Sequence, residues 1–346
     1  MDLEKFCINK NSTILQALNK LNNLRDVSRL TLFVFDENKK IIDSLTDGDI
    51  RRSLISGFRL SDPILNILKN DFNYILHNKN SFVDFSKYKN ESVKIIPVLD
   101  DNFRLIKIYD SEYIKSILPI EAVIMAGGRG KRLSPLTDNK PKPLLEVGGI
   151  PILERNILNL KSYGISKIYL TVNYLSNQIK EYFGNGEAFG VKIIYIEEEH
   201  FLGTAGSLSL IKNVSTPNLL IMNADLLTNV NLLKIYNKHI KTKAEITIST
   251  IDYSNAVPFA VFERKQGKIN SLKEKPTFRY EVNAGIYIIK SKNISKVPKN
   301  NYYDMTSFIT SELDSGGLVE SCQIEGYWID IGNPQDYKKA NIMIGG

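Results

Sequence analysis

An apolar run that breaks into glycines constrains the fold of this chain more than any other feature. The run spans residues 122–126 and breaks into Gly127, Gly128 and Gly130, after which the chain meets Lys131 and Arg132. A buried strand that ends in glycines lets backbone N–H groups approach a polyanion, because no Cβ intervenes. Further on, Lys142 lies in a turn between Pro141 and Pro143. Cations just beyond such a loop supply charge for phosphate groups.

The loop matches neither of two common nucleotide-binding patterns. A Walker A loop ends in Gly-Lys-Ser/Thr, and this loop does not. Leu133 stands where the G-x-G-x-x-G pattern requires its third glycine, which argues against a dinucleotide-dependent oxidoreductase. Two interpretations follow from the spacing alone: a phosphate-binding loop, which is favoured, and a basic hairpin with no ligand.

The whole stretch resembles the signature of the sugar-phosphate nucleotidyltransferases. The matching residues read Gly127-Gly-x-Gly-x-Arg132-Leu-x-Pro-Leu-Thr137, followed by Pro141-Lys-Pro143. The family usually has Leu where Met125 stands, and often Ser or Thr where Lys131 stands. The resemblance implies two catalytic cations that hold the triphosphate, Arg132 and Lys142. It also implies that the loop contacts the nucleotide through Ala126, Gly127, Gly128 and Gly130.

Composition narrows the partners and the compartment. The 346 residues are 43% hydrophobic and 24% charged with a net charge of +7, and no Lys/Arg block interleaves with aromatics. Phosphorylated small molecules therefore suit the charge better than nucleic acid does. Two cysteines and three scattered histidines argue against a disulfide framework or a zinc site. The N-terminus lacks an apolar signal core and no run reaches 18 apolar residues, so we expect a cytoplasmic protein without a membrane partner.

Residues 1–118 are predicted to form a small α/β domain of their own. Thr13 or Ser12 caps a predicted helix, the strands 30–35 and 41–45 follow, and another helix begins near Ile50. A shorter version of this order recurs: a helical segment at residues 64–68 and strands at 93–99 and 103–109. An internal repeat of this kind usually means two copies of one supersecondary unit packed together.

The repeated unit resembles the cystathionine-β-synthase-type (CBS) motif at Ser44-Leu-Thr46-Asp-Gly-Asp49-Ile-Arg-Arg. Such modules often bind adenine nucleotides, which implies that Thr46 holds phosphate and Asp49 holds ribose. The second copy departs from the pattern, with Tyr109 at the Thr46 position and Glu112 at the Asp49 position. The alternative is a structural or dimerising module, in which Thr46 and Asp49 are turn and cap residues. A homodimer is therefore a candidate assembly.

Residues 119–346 alternate between strand and helix patterns as far as residue 240. The predicted strands are 167–172, 191–196 and 219–222, and helices are predicted after Pro151, over 177–183, over 204–211 and over 232–240. This order predicts a doubly wound, mostly parallel, Rossmann-like α/β domain with ligands at the carboxyl ends of the strands. Strands dominate from Ala244 onward and predict an antiparallel extension that covers the sugar side. The chain ends soon after a short helix predicted over residues 336–343.

Two aspartates far apart in the sequence are candidate metal ligands. Asp225 ends the strand-like run 219–225, beside the expected phosphate site, where a carboxylate can hold Mg²⁺. An N-cap for the following segment is the other interpretation. Asp330 is flanked by apolar residues, and burial of its charge would be costly without a partner. The family resemblance implies that both aspartates are catalytic and bind the metal.

The segment Glu197-Glu-Glu-His-Phe-Leu-Gly-Thr-Ala-Gly206 resembles the part of the family that recognises the nucleobase. Gly203 permits a close backbone approach, and Thr204 is predicted to begin a helix whose N–H groups favour anions. A simple capped helix is the alternative. Guanine presents two adjacent N–H donors that one carboxylate can accept, and thymine and uracil do not. Glu198, with Glu197 and Glu199 as rivals, therefore favours GTP.

Two further segments match the part of the family that holds the sugar 1-phosphate. Glu274-Lys-Pro276 implies that Lys275 neutralises the phosphate and that Glu274 bonds a sugar hydroxyl. Val282-Asn-Ala-Gly285 implies that Asn283 bonds another hydroxyl. Without the resemblance, Glu-Lys-Pro is an ordinary surface turn.

The resemblance implies a Mg²⁺-dependent transfer of NMP from a nucleoside triphosphate to a sugar 1-phosphate with release of pyrophosphate. A CBS pair before a short nucleotidyltransferase resembles the enzymes of legionaminic acid pathways that make a GDP-amino sugar. GMP transfer to glucosamine 1-phosphate is therefore the favoured reaction. The alternatives are mannose 1-phosphate guanylyltransfer, thymidylyl- or uridylyltransfer to glucose 1-phosphate, and an adenine-nucleotide sensor with an inactive transferase domain.

Overall fold

The computed structural model describes residues 3–24, 30–77 and 81–345. The chain forms two compact units, Met1–Ile117 and Leu118–Gly346. The division falls one residue before the predicted boundary between residues 118 and 119. In the described parts of the chain, no helix combines the length and the apolar character needed to cross a membrane.

The first unit contains the same arrangement twice. Its elements are β1 (Cys7–Asn9), α1 (Ile14–Asn22), β2 (Thr31–Phe35), β3 (Ile41–Thr46), α2 (Asp47–Ile55), β4 (Ile75–Leu76), α3 (Ser81–Asn90), β5 (Ile95–Leu99) and β6 (Leu105–Asp110). In each three-stranded sheet the first strand pairs parallel to the second, and the second pairs antiparallel to the third. The helix α3 falls between the predicted segments 64–68 and 93–99, where the sequence analysis predicted no element.

The two copies in the first unit share a core. The buried side chains of the first copy form a cluster that also includes Leu99, and Phe103 packs against it. The backbone N–H of Ile41 donates to the carbonyl of Phe103 at 2.8 Å, which links the two hairpins directly. Neither copy is long enough to bury its apolar face alone, so each depends on the other.

The second unit is organised around one seven-stranded sheet. Its strands and helices, in chain order, are β7 (Glu121–Met125), β8 (Glu146–Val147), β9 (Ile150–Pro151), α4 (Ile152–Ser162), β10 (Lys167–Val172), α5 (Ser176–Phe183), β11 (Lys192–Glu197), β12 (Asn218–Asn223), β13 (Leu226–Thr228), α6 (Leu232–Thr242), β14 (Ile246–Ala256), β15 (Val261–Lys265), β16 (Lys268–Lys273), β17 (Thr277–Lys290), α7 (Met305–Asp314), β18 (Val319–Gln323), β19 (Trp328–Asp330) and α8 (Pro334–Gly345). The sheet order is β11-β10-β7-β12-β17-β14-β18.

The sheet is mostly parallel, as predicted, with one reversed strand. β11, β10, β7 and β12 are parallel neighbours, and β17 runs antiparallel to both β12 and β14. The central strand β7 is buried along most of its length, which suits a strand covered on both faces. Because the four parallel strands end at one edge, the segments that follow them meet there.

Prediction of residues 204–211 as an α-helix is wrong. The structure has only a short 3₁₀ turn there, Gly206–Leu210. Its amides are used differently: the N–H groups of Ala205 and Gly206 both donate to the carbonyl of Tyr303, at 2.8 and 2.9 Å. This segment is held against the residues that precede α7 instead of propagating a helix of its own.

Candidate active site

Three chain segments converge at the carboxyl edge of the parallel strands. The N–H of Ala126 donates to the carbonyl of Thr171, and the N–H of Ala224 donates to Met125, at 3.0 and 3.2 Å. The N–H of Glu198 donates to Val172 at 3.0 Å. The starts of the glycine loop, the Asp225 segment and the Glu198 segment are therefore fixed beside one another by backbone hydrogen bonds.

The glycine loop wraps around the side chain of Lys142. Gly130 has a φ of 66°, a left-handed conformation that favours glycine, and a Cβ there would lie 3.0 Å from the Cβ of Lys142. The Thr137 hydroxyl donates to the Gly130 carbonyl at 2.9 Å and closes the loop. Lys142 begins a 3₁₀ turn, Lys142–Leu144, and only 8% of its surface is exposed. The sequence-predicted cation is thus enclosed by the loop.

Lys142 and the two predicted aspartates form one cluster. The ammonium of Lys142 pairs with Oδ2 of Asp225. Leu226, the residue after Asp225, lies opposite Asp330 in the antiparallel pair β13–β19, and the N–H of Ile331 donates to the Asp225 carbonyl at 3.0 Å. Burial and the Asp225 carboxylate raise the pKa of Asp330, while the charges of Lys142 and Arg132 oppose that rise. The structure therefore brings both carboxylates and both cations together.

Arg132 reaches the same cluster from the other end of the loop. Its guanidinium lies next to Gly332, where an added Cβ would be 3.3 Å from Nη2. Apolar packing holds the backbone segments in place, since Leu133, Leu227, Ile329 and Ile331 belong to one buried cluster. The charged residues therefore project from segments that share a small core of their own.

The two carboxylates have the properties of a cation site. Oδ1 of Asp225 and Oδ1 of Asp330 are both buried and have no hydrogen-bond partner among the described residues. Buried polar atoms without partners are rare and call for an explanation. Oxygen donors of this kind fit Mg²⁺, which is usually bound by one or two carboxylates together with substrate phosphates. In the described ranges no group of three or more His, Cys, Asp or Glu side chains could hold a metal. Substrate oxygens would complete the coordination.

Glu198 lies directly against the glycine loop. Only 6% of it is exposed, and a Cβ added to Gly127 would lie 2.6 Å from its Oε1. Its Oε2 accepts from the N–H of Leu202 at 3.1 Å, and the Asn173 amide donates to its carbonyl at 2.7 Å. Burial raises the pKa of Glu198. The predicted base-recognition carboxylate is therefore positioned beside the loop.

The rival glutamates of the same segment point elsewhere. Glu197 is exposed and pairs with Lys180 at 2.7 Å, on helix α5. Glu199 is exposed. Of the three acidic residues, Glu198 is the one that contacts the loop.

Thr204 does not begin an α-helix as predicted, and its polar groups have partners within the chain. The N–H and hydroxyl of Thr204 both donate to Oδ1 of Asp304, at 3.1 and 3.2 Å. The hydroxyl also accepts from the N–H of Met305, the first residue of α7, at 2.9 Å. Thr204 therefore joins its segment to the start of α7, and its backbone N–H already donates to a protein group, the Asp304 carboxylate.

The structure separates Glu274 and Lys275 from Asn283. Asn283 lies opposite Thr250 in the antiparallel pair β14–β17. Two residues further along β17, Gly285 packs against the side chain of Asn223 at the end of β12. Glu274 and Lys275 precede the far end of β17, where Thr277 pairs with Ala256. Six residues of extended strand, 277–282, separate Asn283 from the start of β17 and correspond to roughly 20 Å. That all three residues contact one sugar phosphate stays a prediction.

Three residues at this edge were missed by the sequence analysis. Arg129 projects from the loop, and its guanidinium lies 5.2 Å from the ring centroid of Tyr174. The Tyr174 hydroxyl donates to the carbonyl of Asp138 at 2.7 Å and so joins β10 to the loop. Asn173 positions the Glu198 backbone. Asn173 and Tyr174 follow a predicted parallel strand, which was the available signal.

Thr46 and Asp49 are engaged within the first unit. They form a reciprocal capping box at the start of α2. Burial opposes ionisation of Asp49, but hydrogen bonds from Lys69, Thr46 and Arg52 outweigh it and lower the pKa well below its ordinary value. A cavity of about 240 Å³ adjoins Thr46 and is lined by Thr31, Phe33, Ser44, Asn73, Val93, Lys94 and Ile95. The cap interpretation of both residues thus has direct geometric support.

Curated proteins match about two-thirds of this chain. A mannose-1-phosphate guanylyltransferase of Mycobacterium tuberculosis is 28% identical over 233 residues, 64% of this chain and 64% of its own length. The bifunctional protein GlmU of Methanococcus aeolicus is 34% identical over 65% of this chain and 54% of its own length. A mannose-1-phosphate guanyltransferase of Yarrowia lipolytica is 32% identical over 65% of this chain and 64% of its own length. The chain thus spans about half to two-thirds of these relatives.

Solved structures and a family model agree with the fold described above. HddC from Yersinia pseudotuberculosis complexed with GMP-PN is 25% identical with a TM-score of 0.51, covering 65% of this chain and 99% of that one. A second structure of HddC from the same organism is 27% identical to this chain and also has a TM-score of 0.51. The model described as nucleotidyl transferase matches residues 121–345, which include the glycine loop, Lys142, Asp225 and Asp330. The chain therefore belongs to the nucleotidyl transferase family.

Proposed function

We propose that this chain is a sugar-1-phosphate nucleotidyltransferase that transfers GMP from GTP to a hexose 1-phosphate and releases pyrophosphate. The observation that carries the proposal is the cluster of Arg132, Lys142, Asp225 and Asp330 at the end of the glycine loop. Two cations and two carboxylates with unsatisfied oxygens suit a metal-bound triphosphate better than they suit a protein ion pair alone.

The reaction needs positioning more than acid–base chemistry. A phosphate oxygen of the sugar 1-phosphate attacks the α-phosphorus of GTP, and the bond from that phosphorus to the oxygen bridging to the β-phosphate breaks. Pyrophosphate leaves with the bonding electrons. The nucleophile is already anionic, so no general base is required. The chain would contribute orientation in a site that already presents the complementary charges.

Each charged residue has a distinct role in this proposal. Arg132 and Lys142 would hold the triphosphate, and Lys142 would exchange its present partner Asp225 for phosphate oxygens. The glycine loop would present its N–H groups to the phosphates. Asp225 and Asp330 would hold Mg²⁺, which supplies charge neutralisation of both reactants when bound.

The choice of GTP rests on Glu198. Its carboxylate is fixed beside Gly127 by the N–H of Leu202, near where the nucleotide would enter the loop. Guanine donates N1–H and N2–H₂ side by side, and one carboxylate can accept both hydrogen bonds. The relatives named as mannose-1-phosphate guanylyltransferases, and the complex of HddC with GMP-PN, give this choice independent support.

The sugar is the least constrained part of the proposal. Asn283 lies near the end of β12, and its amide donates to the Tyr287 hydroxyl at 2.7 Å, so it has a fixed orientation toward this region. We propose glucosamine 1-phosphate, which would give GDP-glucosamine for legionaminic acid synthesis, because a repeated N-terminal unit precedes the transferase unit. Mannose 1-phosphate, as in the named relatives, is the alternative. Thymidylyl- or uridylyltransfer to glucose 1-phosphate is the next one.

A pyrophosphate-release assay tests the proposal directly. The purified chain is incubated with Mg²⁺ and each of GTP, UTP, dTTP and ATP, crossed with the 1-phosphates of glucosamine, mannose, glucose and N-acetylglucosamine. We expect release with GTP and a hexosamine 1-phosphate, and a nucleoside diphosphate sugar in the mass spectrum. Release with UTP or dTTP alone would contradict the role of Glu198. No release with any pair would contradict the transferase activity.

We propose further that the first unit is a CBS-domain pair with one adenine-nucleotide site at the cavity beside Thr46. The repeated sheet topology supports this, and Asp49 would exchange Lys69 or Arg52 for ribose hydroxyls. Equilibrium dialysis of the whole chain with labelled AMP and ATP tests it. Binding that Asp49→Asn abolishes would support it, and an absence of binding would leave Thr46 and Asp49 as cap residues. Binding without pyrophosphate release would favour the sensor alternative.

A further inference from the structure

A two-stranded ribbon extends from the edge of the main sheet. The inner half of β17 pairs with β12 through residues 286–290, and the inner half of β14 pairs with β18 through residues 246–250. Beyond those points, residues 251–256 of β14 pair only with residues 277–282 of β17 among the described strands. The hairpin β15–β16 continues the ribbon and is likewise a sheet of two strands. We call residues 251–282 the arm.

The arm segregates charge from apolar surface. Tyr253 and Tyr280 are direct cross-strand partners on the ribbon, and Phe262 and Leu272 are partners on the hairpin. The alternate positions carry charge: Asp252 lies opposite Glu281. Because successive side chains of a strand point to opposite faces, Tyr253 and Tyr280 share one face of the ribbon. Phe262 and Leu272 share one face of the hairpin with Ile269, and Arg264 also lies on that face.

The polar face of the hairpin is already satisfied within the arm. Glu263 accepts from Lys273 at 2.6 Å and from the Ser271 hydroxyl at 2.7 Å. On the ribbon, Glu281 accepts a hydrogen bond from Thr250. These two carboxylates therefore have partners within the chain, whereas several large apolar side chains of the arm remain exposed.

That apolar surface is large for a monomer. Six large side chains on the arm are between 51% and 73% exposed: Tyr253, Phe259, Phe262, Ile269, Leu272 and Tyr280. Four of them are aromatic. If each of the six side chains has about 200 Å² of surface and a little over half of it is exposed, together they expose roughly 600 Å² or more. Monomeric proteins rarely expose contiguous apolar patches above a few hundred Å². A two-stranded hairpin alone is also only marginally stable in water.

We infer that the arm is the interface of a homodimer, in which the apolar faces of two arms pack against each other. The exposed area approaches the ~800 Å² per partner that a standard stable interface buries. The cores of protein interfaces are rich in aromatic residues and poor in charged residues. The Glu263–Lys273 ion pair lies on the face of the hairpin opposite to Phe262 and Leu272, so it does not interrupt their apolar contact surface. An isologous contact uses the same patch on both copies, so an apolar face fits its own copy.

Sedimentation velocity of the full chain tests the inference, at concentrations from about 1 to 50 µM, where a stable dimer with submicromolar Kd stays assembled. We expect a species of twice the chain mass. Leu272→Asp places a charge in the proposed interface and is expected to weaken the dimer about tenfold or more. Phe259→Asp is expected to do the same, and it lies outside the strands, so it leaves strand pairing intact.

Leu313→Asp is the matched control. Leu313 lies on α7 and, like Leu272, is 55% exposed. Circular dichroism of all three variants establishes that each is folded. Dissociation by the two arm variants with an intact dimer in Leu313→Asp supports the inference. A monomeric wild-type chain overturns it, and so does a dimer that survives both arm substitutions or that Leu313→Asp dissociates equally. Because pyrophosphate release is measured separately, this outcome is independent of the proposed activity.

Discussion

Asp225 and Asp330 each retain one buried carboxylate oxygen without a hydrogen-bond partner, although the two residues lie in distant parts of the chain. The pairing of β13 with β19 brings them together, since Leu226 lies opposite Asp330. Lys142 neutralises only part of this charge through Oδ2 of Asp225. Two neighbouring carboxylates that each keep a free oxygen suit a further cation, which is what a metal-dependent transferase would supply.

Lys142→Ala is expected to lower the rate of pyrophosphate release by about 100-fold or more, because it removes a preorganised charge from the triphosphate site. Folding should be retained, since loss of the cation also leaves space that water can fill. Lys140→Ala is the control: Lys140 is exposed and pairs with Glu146 at 2.9 Å, a surface interaction of little energetic value. Normal turnover by a folded Lys142→Ala variant would contradict the assigned role.

Asp330→Asn is expected to separate activity from stability. Pyrophosphate release should fall by about 100-fold or more, and the Mg²⁺ concentration for half-maximal rate should rise. Because the folded-state pKa of Asp330 is raised, its charged form disfavours folding at neutral pH, so the metal-free variant should unfold at a higher denaturant concentration. The exposed Asp314→Asn should change neither quantity. A metal-free variant less stable than wild type would contradict this electrostatic account.

Glu198→Gln is expected to reduce the preference for GTP over UTP. The carboxylate can accept both guanine donors, and an amide oxygen with an adjacent N–H₂ group cannot. We expect kcat/KM for GTP to fall by about 10- to 100-fold, with a smaller change for UTP. Glu199→Gln, at the neighbouring exposed position, serves as the control. Equal losses for all four nucleotides would show that Glu198 supports the loop and does not read the base.

Gly127→Ala and Gly128→Ala form a matched pair. A Cβ at residue 127 would meet Oε1 of Glu198 at 2.6 Å, whereas nothing lies within 4 Å of a Cβ at residue 128. We expect Gly127→Ala to destabilise the second unit by about 1–3 kcal/mol, the usual cost of overpacking, and Gly128→Ala to leave it unchanged. Trp328 is the single tryptophan, so its fluorescence during urea unfolding reports on this unit. Equal stability of both variants would refute the close contact.

His239→Asn is expected to flatten the acid dependence of stability. His239 is buried between the Thr247 hydroxyl and the Asn218 amide oxygen, and burial, with the charge of Lys290, lowers its pKa to about 4. A lowered pKa means that the unfolded chain binds the proton first, so stability is full above the ordinary value near 6.5. It is lost as pH falls from there toward 4, by up to ~1.4 kcal/mol per pH unit.

Urea unfolding monitored through Trp328 at several pH values between 4.5 and 7.5 measures that slope. The variant should be less stable than wild type at pH 7, because it loses the packing and hydrogen bonds of the buried imidazole. Its stability should nevertheless depend less on pH. An unchanged slope in the variant would mean that other groups cause the acid sensitivity.

Much of the site could be predicted from local sequence because its elements are local. The glycine loop, Arg132 and Lys142 lie within one short stretch, and the strand that precedes them has an unmistakable apolar run. The same holds for Glu198, which follows a predicted parallel strand. Thr204 was mistaken for a helix start because its neighbours carry a helical pattern, whereas the structure uses its amide and hydroxyl to hold Asp304. Capping by a residue a hundred positions away leaves no local signal.

The sequence alone determined which chemistry the chain can present: a glycine loop, two cations and two candidate metal carboxylates, with strand ends to carry them. Side-chain type and the spacing along a strand suffice for that, because both are properties of nearby residues. The tertiary structure decided which groups meet. Pairing of β13 with β19 joined Asp225 to Asp330, and pairing of β14 with β17 placed Asn283 opposite Thr250. Which strands pair depends on how the whole sheet buries its apolar surface. The free energy of that burial comes from residues far apart in the sequence, so a short segment does not reveal it.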